Sequence, residues 1–224
     1  MRTAVVIGST GLIGEDLVKK LAQQGSWTSV LAVSRHSKIW THPKIRTLVF
    51  DFASWGDLEL QVRSFAGNTN LDFFCCLGTT IKMAGSEDAF KKIDYTAVVN
   101  FATLAQICKG DQLLIVSSLG ADSNSKVFYG RMKGEMEVAV QKRFSGKIYF
   151  ARPSLLLGDR KDFRLFERLA IMFSPIISTL LVGGLAKYKP IRSSQVANAL
   201  VLIASKNKSA SLFIENQELH KLTM

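Results

Sequence analysis

The sequence predicts an α/β protein, a Rossmann-type doubly wound parallel sheet with a small carboxyl-terminal substrate lobe in the same domain. Short apolar, β-branched runs alternate with amphipathic stretches at helical spacing, which is the pattern of parallel strands joined by helices. The first apolar run ends in a glycine-rich turn that opens a helix. No repeat, low-complexity run or linker interrupts the 224 residues. One domain is therefore expected, with a core over residues 1–153 and the lobe over residues 154–224.

Six strands are expected along the core. The first is TAVVIG, and the helix after it places Ile13, Leu17 and Leu21 on one face before Gly25 ends it. The other predicted strands cover residues 30–33, 46–50, 71–77, 112–117 and 147–152. Further helices are predicted at residues 55–65, 88–108 and 129–144, and the lobe adds a helix at 194–205 and a short strand at 212–214. Parallel strands connected in this way bring their carboxyl ends to one edge, where a cofactor binds.

Three glycines stand in register in the turn GSTGLIG. Gly8, Gly11 and Gly14 lie between the first strand and the first helix. Glycine permits positive φ, close approach of a pyrophosphate and tight packing of helix on strand, and the helix N-terminus offers N–H groups to phosphates. An ordinary strand-to-helix turn is the alternative, but it does not require three glycines. The turn predicts a dinucleotide site that also includes Ser9, Thr10, Leu12 and Ile13.

The residues after the second strand predict which dinucleotide binds. An NAD-binding domain usually has an acidic residue here for the ribose 2′-hydroxyl, whereas this chain has Ser34, Arg35 and Lys38 in VSRHSK. A guanidinium pairs with a phosphate through two hydrogen bonds, which favours NADP(H) over NAD. A solvated basic loop is the alternative. Asp51 and Phe52, which follow the third strand, are expected to meet the adenine.

The segment YGRMK contains the candidate catalytic pair. Tyr129 and Lys133 are one helical turn apart and share a face. A nearby ammonium favours the phenolate, so this tyrosine is suited to exchange a proton with a carbonyl oxygen while hydride moves to or from a nicotinamide.

Three further polar residues are candidates for the same site. Ser117 and Ser118 end the fifth strand, and Ser118 is favoured to hydrogen-bond the substrate oxygen, with Ser117 as the alternate and as a cofactor contact. The alternative is that the two serines have only a structural role at the end of the strand. Asn100, in the long predicted helix, is a candidate to hold a water that relays protons to Lys133, although a lone polar residue on a helix is more often a structural hydrogen-bonding group.

Charge and cysteine content restrict the classes of partner. The net charge of +11 comes from scattered basic residues without a nucleic-acid-binding motif, so nucleic acid is disfavoured, and an anionic cofactor, anionic lipid or solubility explains the charge. Cys75, Cys76 and Cys108 have no zinc or disulfide spacing, so no metal is expected, and a cytoplasmic location is favoured, with no signal peptide ahead of the first strand. Cys76 as a thiolate nucleophile is disfavoured, because it has no partner histidine nearby.

One long apolar stretch lies in the expected lobe. Residues 169–186 carry no charge and have basic flanks, but Pro175 and the pair Gly183-Gly184 interrupt them. A buried or partly exposed flap beside the site is favoured over a membrane-spanning helix. Peripheral contact of residues 163–189 with a membrane stays an alternative.

The motifs together resemble the short-chain dehydrogenase/reductase superfamily. GSTGLIG, CLGTT, SSLGAD, YGRMK and ARPSLLLGDR are similar to its atypical branch of Tat-interacting-protein-like oxidoreductases, over nearly the whole chain. The resemblance implies that the catalytic set is Ser118, Tyr129 and Lys133. It adds two segments to the predicted NADP(H) site, which are Leu77, Gly78, Thr79 and Thr80 after the fourth strand and Arg152, Pro153 and Ser154 after the sixth.

The expected activity is hydride transfer between NADP(H) and a small carbonyl or alcohol substrate. A cofactor-occupied regulatory or sensor protein with little catalysis is the alternative from another class. A nucleotide-sugar epimerase or dehydratase is less favoured, because the residues after the sixth strand are few for a sugar-nucleotide lobe. The sequence leaves open whether the protein is a monomer or a homodimer.

Overall fold

A computed structural model describes residues 1–157, 187–206 and 211–223 of the chain, with the side chain of residue 206 excepted. Within these ranges seven parallel strands form one sheet. They are β1 (Arg2–Ile7), β2 (Ser29–Ser34), β3 (Ile45–Val49), β4 (Asn70–Cys75), β5 (Gln112–Val116), β6 (Lys147–Arg152) and β9 (Phe213–Glu215). The short strands β7 (Leu156–Leu157) and β8 (Ile191–Arg192) form a separate parallel pair. The sheet confirms the predicted fold class.

The strand order is β3-β2-β1-β4-β5-β6-β9. The chain therefore runs outward from β1 in one direction and from β4 in the other. In doubly wound sheets the reversal point between two such halves is where ligands bind, outside the carboxyl ends of the strands. Here that crevice opens where the glycine-rich turn after β1 lies beside the segment after β4.

Helices cover both faces of the sheet in the described ranges. They are α1 (Leu12–Gln23), α2 (Trp55–Ala66), α3 (Ile81–Ala84), α4 (Glu87–Lys91), a π-helical segment (Lys92–Ala97), α5 (Val98–Ile107), α6 (Phe128–Gln141), α7 (Ser193–Lys206) and α8 (Asn216–Lys221). Side chains along β1 point alternately to the two faces of the sheet and pack in two hydrophobic cores. Ala4 and Val6 face a core shared with α1 and α7, whereas Val5 and Ile7 face a core shared with α2, α5 and α6.

One element differs from the sequence-based expectation. The helix predicted over 88–108 is interrupted by the π-helical segment, in which one extra residue per turn changes which side chains face inward. In the described carboxyl-terminal part, β9 pairs with β6 inside the main sheet and α7 packs against α1. The predicted lobe over residues 154–224 of the same domain stays a prediction. Residues 158–186, which contain most of the expected lobe, lie outside the described ranges.

Candidate functional site

The glycine-rich turn packs against the start of the segment after β4. Gly8 has a φ of +76°, and a Cβ there would lie 2.7 Å from the backbone carbonyl of Cys76. A Cβ on Gly11 would lie 3.0 Å from the carbonyl oxygen of Gly8, and one on Gly14 would overlap that same oxygen. Helix α1 begins after Gly11 without a side-chain cap. The turn is thus tight enough to need each glycine, and no side chain blocks the helix N-terminus from a phosphate.

Several residues predicted to contact the cofactor have side chains that make contacts within the protein. The Ser9 hydroxyl, fully buried, donates to the carbonyl of Val33 at 3.0 Å, and its backbone N–H is directed at the same oxygen. Ile13 and Leu77 are buried in the two cores. These three side chains are used within the fold, and contact of their backbone with a cofactor stays a prediction.

The loop after β2 has the basic character that the sequence predicted. Arg35 is exposed, whereas the Ser34 hydroxyl donates to the carbonyl of His36 at 2.7 Å and closes the turn. Lys38 forms an ion pair of 2.6 Å with Glu15 at the first turn of α1. Hydrogen bonds from Lys19 and Lys38 hold the pKa of Glu15 below its usual value. Arg35 is therefore the cation with the freest access to a ligand in this loop, and the side chain of Ser34 is corrected to a structural role.

Phe52, at the expected adenine end, has a φ of 70°, unusual for a residue other than glycine. Its ring lies 5.3 Å from that of Phe50 and 6.3 Å from that of Trp55. Asp51 is exposed, and its Oδ1 accepts from the N–H of Ala53 at 2.9 Å. The two residues thus form a turn packed against Phe50 and Trp55, and their contact with an adenine stays a prediction.

Helix α6 places Tyr129, Lys133 and Glu137 on one face, at successive i, i+4 positions. Gly130 and Gly134 let this helix approach the loop that follows β5. A Cβ on Gly130 would lie 2.9 Å from the carbonyl oxygen of Gly120, and one on Gly134 would overlap the backbone of residues 122–123. The close packing brings the catalytic candidates of α6 to the carboxyl end of β5, where Ser117 and Ser118 lie.

Lys133 is the most buried cation of this group, with a side chain 3% exposed. Its Nζ lies 2.7 Å from Oδ1 of Asp94, which is 1% exposed. Burial acts to lower the pKa of Lys133, but attraction from Asp94 and from Tyr129 outweighs it, so that pKa is raised. Lys133 is therefore held as an ammonium, and its action on Tyr129 stays a prediction.

Asp94 was not among the residues predicted from the sequence. It lies in the π-helical segment, and its Oδ2 also accepts the N–H of Thr79 at 2.9 Å. A signal was present, because Asp94 is an acidic residue between Phe90 and Val98, both buried on the same apolar helical stretch. A carboxylate on a buried face needs a cation or several donors, so this pattern indicates an internal partner.

The two serines after β5 have buried hydroxyl groups. Ser117 is 5% exposed and Ser118 is 9% exposed. Neither Oγ has a hydrogen-bond partner among the described residues. A buried hydroxyl without a partner is costly, so both groups suit a bound molecule that supplies the missing hydrogen bond.

Some of the remaining predicted residues have structural contacts, and for others the predicted role in the site stays open to test. Thr80 caps α3 by accepting the N–H of Met83 at 3.1 Å, and Gly78 is exposed beside it. Asn100 is half-buried on α5, whereas the direct partner of Lys133 is Asp94, so the water relay through Asn100 stays a prediction. The part of Thr10 and Leu12, which lie in the turn at the start of α1, also stays a prediction.

The side chain of Arg152 has a structural role. Its guanidinium lies 2.6 Å from Glu137 and 3.0 Å from Glu215, and its Cζ is 4.0 Å from the ring centre of Phe213. These contacts join α6, β6 and β9. The resemblance places the backbone of Arg152, not its side chain, near the cofactor, and that contact stays a prediction.

Pro153 and Ser154 connect the end of β6 to neighbouring segments. The carbonyl of Pro153 accepts the N–H of Leu119 at 2.9 Å. The Ser154 hydroxyl donates to the carbonyl of Lys189 at 2.6 Å, and its N–H donates to Oδ1 of Asn216 at 3.0 Å. The backbone after β6 is thereby held next to the serines after β5, although the hydroxyl of Ser154 is already used.

The thiols are poor candidates for catalysis. Burial raises the pKa of Cys75 to about 12 and the pKa of Cys76 well above its usual value. A thiol in this state carries little thiolate at neutral pH. No group of three or more potential metal ligands occurs among the residues that the structure describes.

The apolar stretch at 169–186 lies outside the described residues. No helix in the described ranges has the length and apolar character needed to cross a membrane. The predicted contact of 163–189 with a membrane falls almost entirely on undescribed residues and stays a prediction.

No protein-family model matches the chain. Among curated proteins, the chain is 34% identical over 206 residues to "Protein FMP52, mitochondrial" of Debaryomyces hansenii, which covers 91% of this chain and 88% of that protein. It is 31% identical over 174 residues to "Protein HTATIP2" of Rattus norvegicus, which covers 77% of this chain and 70% of that protein.

Among solved structures, the fold is similar to that of MoeE5 in complex with UDP-glucose and NAD. The TM-score is 0.68, with 16% sequence identity, over 99% of this chain and 80% of that chain. Identity at this level carries the fold only. The two curated relatives show that the chain belongs to the family of HTATIP2 and FMP52 proteins. The fold agrees with the resemblance of its motifs to the atypical short-chain dehydrogenase/reductase superfamily.

Proposed function

We propose that the protein is an NADP(H)-dependent oxidoreductase that transfers hydride between the nicotinamide and a small carbonyl or alcohol substrate. The observation that carries this proposal is the ammonium of Lys133, held as a cation beside Tyr129, at the end of the sheet where two serine hydroxyls are buried without a partner. The location at the strand-order reversal supports a dinucleotide between these groups and the glycine-rich turn.

Each side chain then has a defined part in the reaction. The cofactor supplies or accepts the hydride. Ser118 donates a hydrogen bond to the substrate oxygen and orients it, with Ser117 as the alternate donor. During reduction the Tyr129 hydroxyl gives its proton to that oxygen, and the ammonium of Lys133 stabilises the phenolate that remains. In the oxidation direction the phenolate takes the proton back.

Preference for NADP(H) over NAD rests on the loop after β2. Arg35 is exposed there, and the neighbouring carboxylate of Glu15 is already neutralised by Lys19 and Lys38. A guanidinium without a competing carboxylate favours a phosphate on the ribose over a bare hydroxyl. The cytoplasmic location predicted from the sequence stays a prediction, since the mitochondrial name belongs to the fungal relative.

The test is reduction of a panel of aldehydes and ketones, followed as loss of NADPH absorbance. Tyr129→Phe should lower the rate by about 10²–10⁴-fold, because the proton donor is lost. Tyr149→Phe is the matched control, since Tyr149 is buried in the core on β6, and it should keep the wild-type rate. Full activity of Tyr129→Phe would overturn the proposal. NADPH binding without turnover of any carbonyl would favour the sensor alternative instead.

A further inference from the structure

The carboxylate of Asp94 connects two parts of the site that are far apart in sequence. One oxygen lies 2.7 Å from Nζ of Lys133 on α6, and the other accepts the N–H of Thr79 at 2.9 Å in the segment after β4. Asp94 is fully buried, and so is Lys133 apart from 3% of its surface. A single side chain thus holds both the cation beside Tyr129 and the backbone beside the glycine-rich turn.

The local backbone explains how this contact arises. Asp94 lies in the middle of the π-helical segment, between α4 and α5. A π-helical turn inserts an extra residue into the helix, is rare and is frequently found at functional sites. The ring of Phe90, one turn earlier, lies 5.5 Å from that of Tyr129, so the same helical stretch packs against both catalytic candidates of α6.

We propose that Asp94 is a positioning residue, which couples the placement of the Lys133 ammonium to the conformation of the loop at residues 77–80. This inference rests on the proposed function, because it assigns Asp94 a part in that site. Asp94 does not touch the reacting atoms. It acts by fixing the cation that stabilises the Tyr129 phenolate and the loop that lies against the cofactor crevice.

The charges around Lys133 show what removal of Asp94 would do. The groups that act on the ammonium are Asp94 from the π-helical segment, Tyr129 from its own helix and Cys75 from β4. Burial works to lower the pKa of Lys133 and attraction from Asp94 works to raise it. Without the carboxylate this attraction is lost, so the pKa of Lys133 falls and the ammonium is lost at a lower pH.

The experiment compares Asp94→Asn and Asp94→Ala with the wild-type chain. Asp88→Asn is the matched control, because Asp88 is an exposed carboxylate on the adjoining α4. The ¹³Cε resonance of Lys133, assigned by its loss in Lys133→Met, is followed by NMR against pH. In the wild type and in Asp88→Asn it should titrate above the usual range for lysine, and in Asp94→Asn its midpoint should move to lower pH.

Hydrogen exchange of the Thr79 amide separates the two contacts. Asn in place of Asp94 keeps a carbonyl oxygen that can accept this N–H, whereas Ala does not. The Thr79 amide should stay protected in Asp94→Asn and lose most of its protection in Asp94→Ala. NADPH affinity, measured by fluorescence titration, should fall about tenfold more in Asp94→Ala than in Asp94→Asn, which corresponds to one hydrogen bond of about 1.4 kcal/mol.

An unchanged Lys133 midpoint in Asp94→Asn, or equal Thr79 exchange in both variants, would overturn the proposal. Should Asp94→Asn fail to fold, the double variant Asp94→Asn/Lys133→Met removes both charges and should recover the fold; failure to recover would equally contradict the ion pair. None of these readouts depends on turnover. Absence of carbonyl reduction would therefore count against the proposed function only. The titration of Lys133 and the exchange of the Thr79 amide would still decide whether Asp94 couples the two contacts.

Discussion

Asp72 is a buried carboxylate that is stabilised by several polar contacts. It lies near the start of β4, at the opposite end of the sheet from the candidate site. Its carboxylate accepts from Arg2 at 2.7 Å, from the indole of Trp27 at 2.7 Å and from the amide of Gln112 at 3.0 Å. Burial raises the pKa of Asp72 in spite of these donors. The cluster ties β1, β4 and β5 together where their strands begin.

Replacing this carboxylate should be costly. Asp72→Ala should lower the free energy of unfolding by about 3–5 kcal/mol, because the cation of Arg2 and two buried donors lose their acceptor. Asp72→Asn should cost less, since one oxygen remains. Urea unfolding followed by Trp fluorescence measures both. Asp57→Ala, at an exposed position of α2, is the control and should cost under about 1 kcal/mol. Equal stability of Asp72→Ala and the control would contradict the role of the cluster.

The thiols give a second prediction for single residues. Because burial raises the pKa of Cys75 to about 12 and that of Cys108 to about 11, almost no thiolate is present at pH 7. The folded protein should react with iodoacetamide far more slowly than the urea-denatured chain, in which all three cysteines should react. Mass spectrometry of timed samples measures this. Rapid alkylation of Cys76 in the folded state would revive the thiolate-nucleophile alternative.

Among the secondary-structure elements, α6 carries Tyr129 and Lys133. Its glycines determine how closely it packs against the loop after β5. Gly134 lies against the backbone of residues 122–123 with no space for a Cβ. Gly56, in α2, has nothing within 4 Å of the same position. The two helical glycines thus differ in surroundings, and the same substitution should act in opposite directions.

Gly134→Ala should lower the free energy of unfolding by about 1–3 kcal/mol, because the added methyl forces α6 away from the loop after β5. Gly56→Ala should raise it by about 0.5–1 kcal/mol, since alanine is the better helix former. Urea denaturation of both variants measures the difference. Gly134→Ala should also reduce carbonyl reduction, because Tyr129 and Lys133 move with the helix. A neutral or stabilising Gly134→Ala would show that α6 is not packed in this way.

The sequence predicted the elements better than the direction of individual side chains. The strand, glycine-rich turn and helix at the start could be read because spacing alone defines them, and YGRMK because i and i+4 share a helical face. Asp94 was missed because a regular helix does not predict where a π-helical turn aims its residues. The side-chain partners of Ser9 and Arg152, which are Val33 and Glu137, could not be predicted because they lie far away in sequence.

For the whole molecule, the carboxyl-terminal part completes the fold. The core that α1 shares with α7 includes apolar residues of the described carboxyl-terminal part. Those with the largest side chains are Ile191, Val196, Leu200, Val201, Ile203, Ile214 and Leu219. The stacked rings of Phe150 and Phe213, 5.7 Å apart, and the Arg152–Glu215 ion pair attach β9 to the sheet.

A fragment of residues 1–157 should therefore fail to fold on its own. Removal of α7 and β9 exposes the apolar face of α1 and the edge of β6 to water, and the remaining core is incomplete. Urea unfolding of the fragment should show no cooperative transition, whereas the full chain should show one. A cooperative transition and a dispersed NMR spectrum for the fragment would show that α7 and β9 are not needed to complete the core.

Binding of NADP(H) in the crevice at the strand-order reversal is tested by titration of the purified protein with NADPH and with NADH. NADPH should bind at least about tenfold more tightly than NADH, a difference of about 1.4 kcal/mol. Arg35→Ala should weaken NADPH binding by about 10- to 100-fold and leave NADH within about twofold, because only the 2′-phosphate uses the guanidinium. Arg46→Ala, at an exposed arginine of β3, should change neither. Equal affinity for the two cofactors, or an Arg35→Ala variant with unchanged NADPH affinity, would contradict the proposed preference for NADP(H).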